Sequence, residues 1–255
     1  MRIKIPFSGR KSITRTKVQV QVYSATDIGL RRANNEDRFV SLEGKDSPGV
    51  ADAVMIVADG MGGQAHGEVA SEMAVEGIKR CLADQPKDKT LPTGGYAELL
   101  GQVFRDVNAE IHLKAQADTY RGMGTTATAA VVTGTQVHIA HLGDSRAYLL
   151  RDGELSQLTR DHSWVAENVE AGNLTLEQAR VHPKRNVITQ AMGINAEATV
   201  QTKTLDLLDG DLLLLCSDGL HGLVGDDEIR ELIQSGKSEQ AIKDLIQRAK
   251  DRGGN

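Results

Sequence analysis

The sequence predicts an α+β fold in which antiparallel sheets are covered by helices. Three observations carry that prediction. Apolar residues alternate with period two near the start of the chain and again from residue 124, the signature of half-buried strands. Between these blocks, and once more at the end, the period lengthens to that of amphipathic helices. Strand signals thus come in blocks rather than in the regular βαβ alternation of a parallel sheet.

The elements follow in order. "KVQVQVYSA", from Lys17, alternates as a strand should, and "DRFVSL" and "AVMIVA" are two further strands joined by a polar loop at 43–52. Residues 67–83 place Val69, Met73, Ala74, Ile78, Cys81 and Leu82 on one helical stripe. After a loop with Pro86 and Pro92, the residues Tyr96, Leu99, Leu100, Val103, Val107 and Ile111 mark a second long helix. "GTTATAAVVTG", "TQVHIAHLG" and "SRAYLLRDGELSQLT" read as consecutive antiparallel strands, with Asp152-Gly153 as a hairpin turn. Residues 160–184 are polar, with short helical pieces and Thr175 placed to cap one of them. A long irregular insertion between strands is often a lid. "NVITQAMG", "ATVQTKTLDLL" and "DLLLLCS" resume strand character, with Asp209-Gly210 read as a second hairpin turn. Two helices close the chain, with Asp226 and Ser238 as caps.

Composition narrows the function. A net charge of −5 and only 3% aromatic residues argue against a general nucleic-acid binder, which needs a basic face and stacking rings. No apolar stretch reaches the roughly 18 residues of a membrane span, and the N-terminus lacks the apolar core of a signal peptide. Cys81 and Cys216 lie in apolar runs with no paired spacing, as reduced core thiols of a cytoplasmic protein do. Residues 1–26 carry Arg2, Lys4, Arg10, Lys11, Arg15 and Lys17 and no acid. Two readings stand for the leader 1–18: a solvated arm, or a docking arm for an acidic partner. Residues 19–255 then form one domain.

The chain holds four Asp-Gly pairs. Those at 152 and 209 have flanking strands that explain them as turns. Asp59-Gly60 and Asp218-Gly219 instead follow the apolar runs "VMIVA" and "LLLLCS", so each carboxylate emerges at the end of a buried strand. A buried carboxylate must be paired or bound to metal, and two strand-end aspartates can share a cation. Asp144 ends another apolar strand, and Glu36-Asp37 precedes one. Clustered carboxylates without paired cysteines or histidines favour hard ions such as Mg²⁺ or Mn²⁺. Taken singly, each acid also suits a turn or a cap. Arg32, five residues before Asp37, suits bidentate phosphate recognition or a surface ion pair.

At these residues the chain resembles the metal-dependent protein phosphatases, the type 2C serine/threonine phosphatases, and their bacterial branch in particular. The motifs appear in order: "TDIGLRRANNED", "VADGMGG" with "GEVAS", "GMGTTAT", "AHLGDSRAYLLRDGELSQLTRDHS", "HPKRNVITQAMG" and "LLLLCSDGL". The resemblance implies a four-layer α-β-β-α sandwich with a two-metal centre of Mn²⁺ or Mg²⁺ at one end. It implies that Asp59 bridges both ions, that the Gly60 carbonyl and Glu36 and Asp37 serve the second, and that Asp218 serves the first. Asp144 with Asp218 would hold a third ion, and Arg32 the substrate phosphate. Catalysis would rest on Arg32, Asp59 and Asp218, with residues about 160–185 as a flap.

Two departures from the family pattern stand out. Eukaryotic members carry a histidine after the first Asp-Gly, whereas this chain has Met61, which leaves His162 and His182 of the flap as candidate proton donors beside a metal-bound water. The family closes with Gly-Gly-x-Asp-Asn and a final strand, and this chain ends "AKDRGGN" just before that aspartate, as expected for a piece of a longer active protein rather than for a naturally truncated chain. A chain truly ending there would lack a carboxylate for the first metal and an edge strand in one sheet. The leading expectation is a phosphatase acting on phosphoserine and phosphothreonine in proteins, with a serine/threonine kinase and its targets as partners, acting as a monomer. A non-catalytic regulatory module with an incomplete metal centre and a hydrolase of small phosphate esters are the competing expectations.

Overall fold

In the computed structural model, residues 19–49, 51–62, 66–85, 95–235 and 238–254 are described. The basic leader 1–18 and the side chain of Ser238 lie outside the described residues.

The apolar runs form strands because both of their faces are covered. β1 (Asp37–Glu43), β2 (Ala53–Met61), β4 (Ala127–Thr133), β5 (Gln136–Leu142) and β8 (Gln201–Asp206) make one antiparallel sheet in the order β1-β2-β4-β5-β8, with the two-residue β3 (Gly124–Thr125) paired to the end of β2. β6 (Arg146–Arg151), β7 (Glu154–Gln157) and β9 (Leu212–Cys216) make a second sheet in the order β7-β6-β9. In β2 the alternation is complete: Val54, Ile56 and Ala58 face one apolar cluster, while Ala53 and Met55 face another. β6 and β9 repeat it, with Ala147, Leu149, Leu213 and Leu215 inward and Tyr148, Leu150, Leu214 and Cys216 outward. A strand buried on both faces loses its polar alternation and reads as a continuous apolar run.

Three apolar clusters therefore separate four layers. The first packs α1 (Gly67–Ala83) and α2 (Gly95–Ala115) against the larger sheet. The second lies between the two sheets. The third packs the smaller sheet against α6 (Asp226–Ser235) and α7 (Ser238–Asp251). The predicted α-β-β-α sandwich is the observed one. Cys216 is buried in the third cluster, where burial pushes its thiol up to about 12, and the partly buried Cys81 is also raised by burial. Both are packing residues.

Four expectations about elements are corrected. The alternating segment around Val20 and Val22 packs both valines against the inter-sheet cluster, but it forms no strand among the described residues. Its pattern is that of burial; a strand also needs a hydrogen-bonding neighbour, and the Val22 N–H donates instead to Glu43 Oε2 at 2.7 Å. "NVITQAMG" is no strand either and makes only isolated bridges, Ser163 with Ile188 and Thr125 with Met192. Asp209-Gly210 is a turn but not a hairpin, because β8 and β9 belong to different sheets. β5 and β6 are likewise not neighbours, since the chain changes sheet at Gly143, where φ is 113°. The Asp152-Gly153 hairpin stands, with φ of 51° and 83° as a type I′ turn requires.

Of the proposed caps, Thr175 forms a full capping box with Gln178 at the start of α4 (Leu176–Val181). Asp226 is the first residue of α6 rather than its cap. Between the strands that frame it, the 160–185 insertion carries α3 (Trp164–Glu170) and α4.

Candidate active site

All four strand-end acids arrive at one end of the sandwich. β1 begins there and β2 ends there, and the antiparallel register sets Asp37 directly opposite Asp59. Asp218 opens the short helix α5 (Asp218–His221) immediately after β9, and Asp144 sits in the crossover between the sheets. With Arg32 and Glu36 they line a cleft of about 880 Å³. The carboxyl of Asp59 is within hydrogen-bonding reach of both Asp37 and Asp218.

Like charges directly opposite on a sheet repel, and burial removes the water that would screen them. Burial accordingly pushes the Asp59 carboxyl well above the usual carboxylate range, and the charges of Asp37, Asp218 and Asp144 push it further. Asp37 is raised chiefly by burial, against the pull of the Ser217 hydroxyl, which donates to its Oδ2 at 2.7 Å. Asp144 is raised to about 7 by burial first, then by Asp218 and Asp161. Its Oδ1 is buried without a hydrogen-bond partner among the described residues.

These residues fit a divalent cation. An orphaned buried carboxylate oxygen on Asp144, an Asp59 carboxyl in contact with those of Asp37 and Asp218, and an acid cluster whose Asp37, Asp59 and Asp144 are held toward their protonated form all ask for a hard positive ion. Among the described residues no three His, Cys, Asp or Glu side chains stand close enough to hold an ion by themselves, so water would have to complete its shell. An open arrangement suits an ion that keeps several waters.

A pH signature follows for the metal-free protein. Asp144 ionises near 3.8 unfolded but at about 7 folded, so between those values the native state holds the extra proton and its stability falls as pH rises. Asp144→Asn removes that loss. In EDTA the variant is expected to match its parent near pH 4 and to exceed it increasingly up to pH 7, by at most ~4 kcal/mol. Urea unfolding of both proteins across this range checks it, and an unchanged difference contradicts it.

Backbone packing places Asp59 and Gly60. The Asp59 N–H donates to Thr126 Oγ1 at 3.0 Å, and its carbonyl accepts from the Thr126 N–H and the Thr125 hydroxyl, each at 2.9 Å. Thr126 Oγ1 in turn meets Ser145 Oγ at 2.7 Å. Sequence reading assigned no site role to Thr125, Thr126 or Ser145; they lie within the quoted motifs "GMGTTAT" and "AHLGDSRAYLL", but small hydroxyl residues there also suit ordinary strands. The Gly60 N–H donates to the Glu36 carbonyl at 3.2 Å, and a Cβ on Gly60 would stand 2.2 Å from the Gly67 carbonyl oxygen. The glycines let the start of α1 lie directly against the end of β2.

Arg32 lines the same cleft. Its Nη1 donates to Glu36 Oε2 at 2.9 Å and its side chain is 45% exposed, so the guanidinium is both oriented and open to solvent. The flap is rooted by Arg146, whose guanidinium donates to both oxygens of Asp161 at 2.7–3.1 Å. The Trp164 N–H donates to the Val187 carbonyl and the Thr189 N–H to the His162 carbonyl, each at 2.8 Å, which ties the two ends of the flap together.

His162 and His182 do not line the cleft. His162 accepts from the Gly143 N–H at 3.1 Å and packs on His141 with ring centroids 5.1 Å apart. His182 stacks on Trp164 at 4.8 Å and accepts from the Lys184 N–H at 3.1 Å. Both histidines brace the flap: His162 Nδ1 anchors it to the sheet crossover at Gly143, and His182 Nδ1 caps the Lys184 peptide.

An acid cluster with an oriented guanidinium, at one end of an α-β-β-α sandwich, defines a metal-dependent phosphatase. Comparison with known proteins supplies the particular kind. The chain belongs to the protein phosphatase 2C family, whose profile matches residues 31–254. It is 41% identical over 233 residues to the serine/threonine phosphatase stp of Listeria monocytogenes, covering 90% of this chain and 89% of that one. The crystal structure of the serine/threonine phosphatase Stp1 from Staphylococcus aureus superposes with a TM-score of 0.83 at 32% identity, over 97% of this chain and 95% of that one. The catalytic domain of the serine/threonine protein phosphatase PstP, solved in complex with two manganese ions, matches with a TM-score of 0.73 at 36% identity, over 89% of each chain. This chain is an enzyme, a metal-dependent serine/threonine phosphatase.

Proposed function

We propose that the cleft hydrolyses phosphoserine and phosphothreonine in proteins, using Mn²⁺ or Mg²⁺ held by the acid cluster. The observation that carries this reading is the contact of the half-buried Asp59 carboxyl with those of Asp37 and Asp218. Asp59 would serve two ions, with the Gly60 carbonyl, Glu36 and Asp37 on one side and Asp218 on the other. Asp144 with Asp218 would hold a third. Two such ions, when bound, supply an activated water and neutralise charge on the phosphoryl oxygens. The protein's own part is positioning. The Thr125–Thr126 clamp fixes the Asp59 peptide, the Glu36 carboxylate aims Arg32, and the Arg32 fork orients the phosphate against the water's line of attack.

Residues 19–255 act as one catalytic unit, built around the three stacked apolar clusters. The partners are a serine/threonine kinase and its phosphorylated targets. The protein works as a monomer in the cytoplasm; no helix among the described residues is long and apolar enough to cross a membrane, and the buried Cys216 suits a reducing compartment.

The test is release of phosphate from a phosphothreonine peptide with Mn²⁺, with Mg²⁺ and with EDTA. Turnover that survives EDTA overturns the metal-dependent reading. Arg32→Ala is expected to lower kcat/KM for the peptide ~100-fold, with Arg32→Lys recovering only part, because an ammonium cannot grip two phosphate oxygens at once. Equal activity of the lysine variant and the parent would remove Arg32 from phosphate binding.

A further inference from the structure

The flap wall of the cleft carries more positive charge than the protein itself neutralises. Arg160, Arg180 and Arg185 line that wall, together with the carboxylates of Asp161 and Glu170. Both carboxylates are engaged: Asp161 is held by Arg146, and Glu170 is ion-paired with Arg160. Arg180, in the last turn of α4, and Arg185, just after it, have no side-chain hydrogen bond or ion pair among the described residues. The opposite end of the cleft is the acid cluster, which the ions neutralise under the function proposed above. With the cluster neutralised, two exposed guanidiniums remain on the flap side.

The cleft is also too large for a phosphorylated side chain alone. Its volume of about 880 Å³ lies toward the upper end of small-ligand sites. Leu176, 70% exposed, lines the same wall and offers apolar surface to a bound main chain. Charge and shape together fit an extended peptide with anionic side chains beside its phosphoresidue.

We propose that Arg180 and Arg185 form a specificity site for acidic residues flanking the phosphoserine or phosphothreonine of a protein substrate. This inference rests on the phosphatase reading of the cleft. Each arginine meets a carboxylate of the substrate at a partly exposed position, so the pairs are moderate in strength and screened by salt.

The experiment uses the full chain with Mn²⁺ and two phosphothreonine peptides that differ only in flanking residues, glutamate in one and lysine in the other. The expected kcat/KM ratio is ~10 in favour of the glutamate peptide, shrinking toward 1 at 0.5 M NaCl. R180A/R185A brings the ratio near 1 and R180E/R185E inverts it, each variant being compared between peptides so that a general loss of activity cancels. A second readout does not need turnover. Trp164 is the only tryptophan of the chain, and it lies 4.5 Å from Lys184 Nζ and stacks on His182, in the same turn as Arg185. Its emission reports binding of non-hydrolysable phosphonate versions of the two peptides, expected ~10-fold tighter with glutamate. Equal turnover and equal binding of both peptides overturn the inference while leaving the phosphatase reading intact. A preference for glutamate that persists in R180A/R185A overturns the assignment to these arginines. Failure to hydrolyse either peptide with Mn²⁺ overturns the reading beneath it.

Discussion

Asp59→Asn is expected to abolish Mn²⁺-dependent phosphatase turnover, by ~10³-fold or more, while raising the stability of the metal-free protein above pH 7. The two effects have one cause. Asp59 is half-buried at the end of β2, its carboxyl desolvated, opposite Asp37 and in reach of Asp218, so its negative charge is costly unless a cation answers it. The isosteric amide keeps the backbone clamp on Thr125 and Thr126 but cannot supply the charge that holds an ion. The stability effect has a definite sign. The folded carboxyl is raised far above its unfolded value, so the parent loses stability as pH rises past that unfolded value, and the amide does not. Thermal unfolding in EDTA at pH 8 and pH 4 checks this, with the advantage of the variant present at the higher pH only. Calorimetry with Mn²⁺ checks the rest, as heat of binding present in the parent and lost in the variant. Turnover within tenfold of the parent would take Asp59 out of the metal centre.

Gly60→Ala is expected to destabilise the protein by ~3 kcal/mol or more and to lower Tm by ~6–12 °C. A Cβ there would stand 2.2 Å from the Gly67 carbonyl oxygen, 2.5 Å from its carbon and 2.8 Å from the Glu36 carbonyl oxygen. All three are backbone atoms, so no rotamer change relieves the contact. The start of α1 or the loop carrying Glu36 must move, and both border the acid cluster. Gly219→Ala is the informative contrast. The second strand-end Asp-Gly pair looks equivalent in sequence, yet a Cβ at Gly219 meets only Ser217 Oγ at 3.6 Å, an ordinary contact. Its Tm is expected to stay within ~2 °C of the parent. Differential scanning calorimetry of both variants decides, and a Gly60 variant as stable as the parent would show that α1 can retreat without cost.

The difference between those two glycines shows where sequence reading stops. Asp59-Gly60 and Asp218-Gly219 were separated from the turn at Asp152-Gly153 by their flanking runs, because a strand covered on both faces has to be apolar throughout. The same logic misjudged Asp209-Gly210, whose flanking strands look like a hairpin but pair in different sheets. It also took the Val20–Val22 alternation for a strand. That pattern records which side chains are buried, and burial can be had without a ladder partner.

By itself, then, the sequence determined the period of each segment, the apolar faces and hence the layered α+β class, together with the carboxylates too costly to be only structural. The ordered motifs carried the family with them. Periodicity and desolvation are local properties, legible within ten or so residues. Only the tertiary structure decided that Asp37, Asp59, Asp144 and Asp218 share one cleft, that Thr125 and Thr126 clamp the Asp59 peptide, and that His162 and His182 brace the flap outside it. Those facts depend on which strand ends meet, and pairings as distant as that of Ser217 with Asp37, 180 positions apart, are set by the register and stacking of whole sheets rather than by any local pattern.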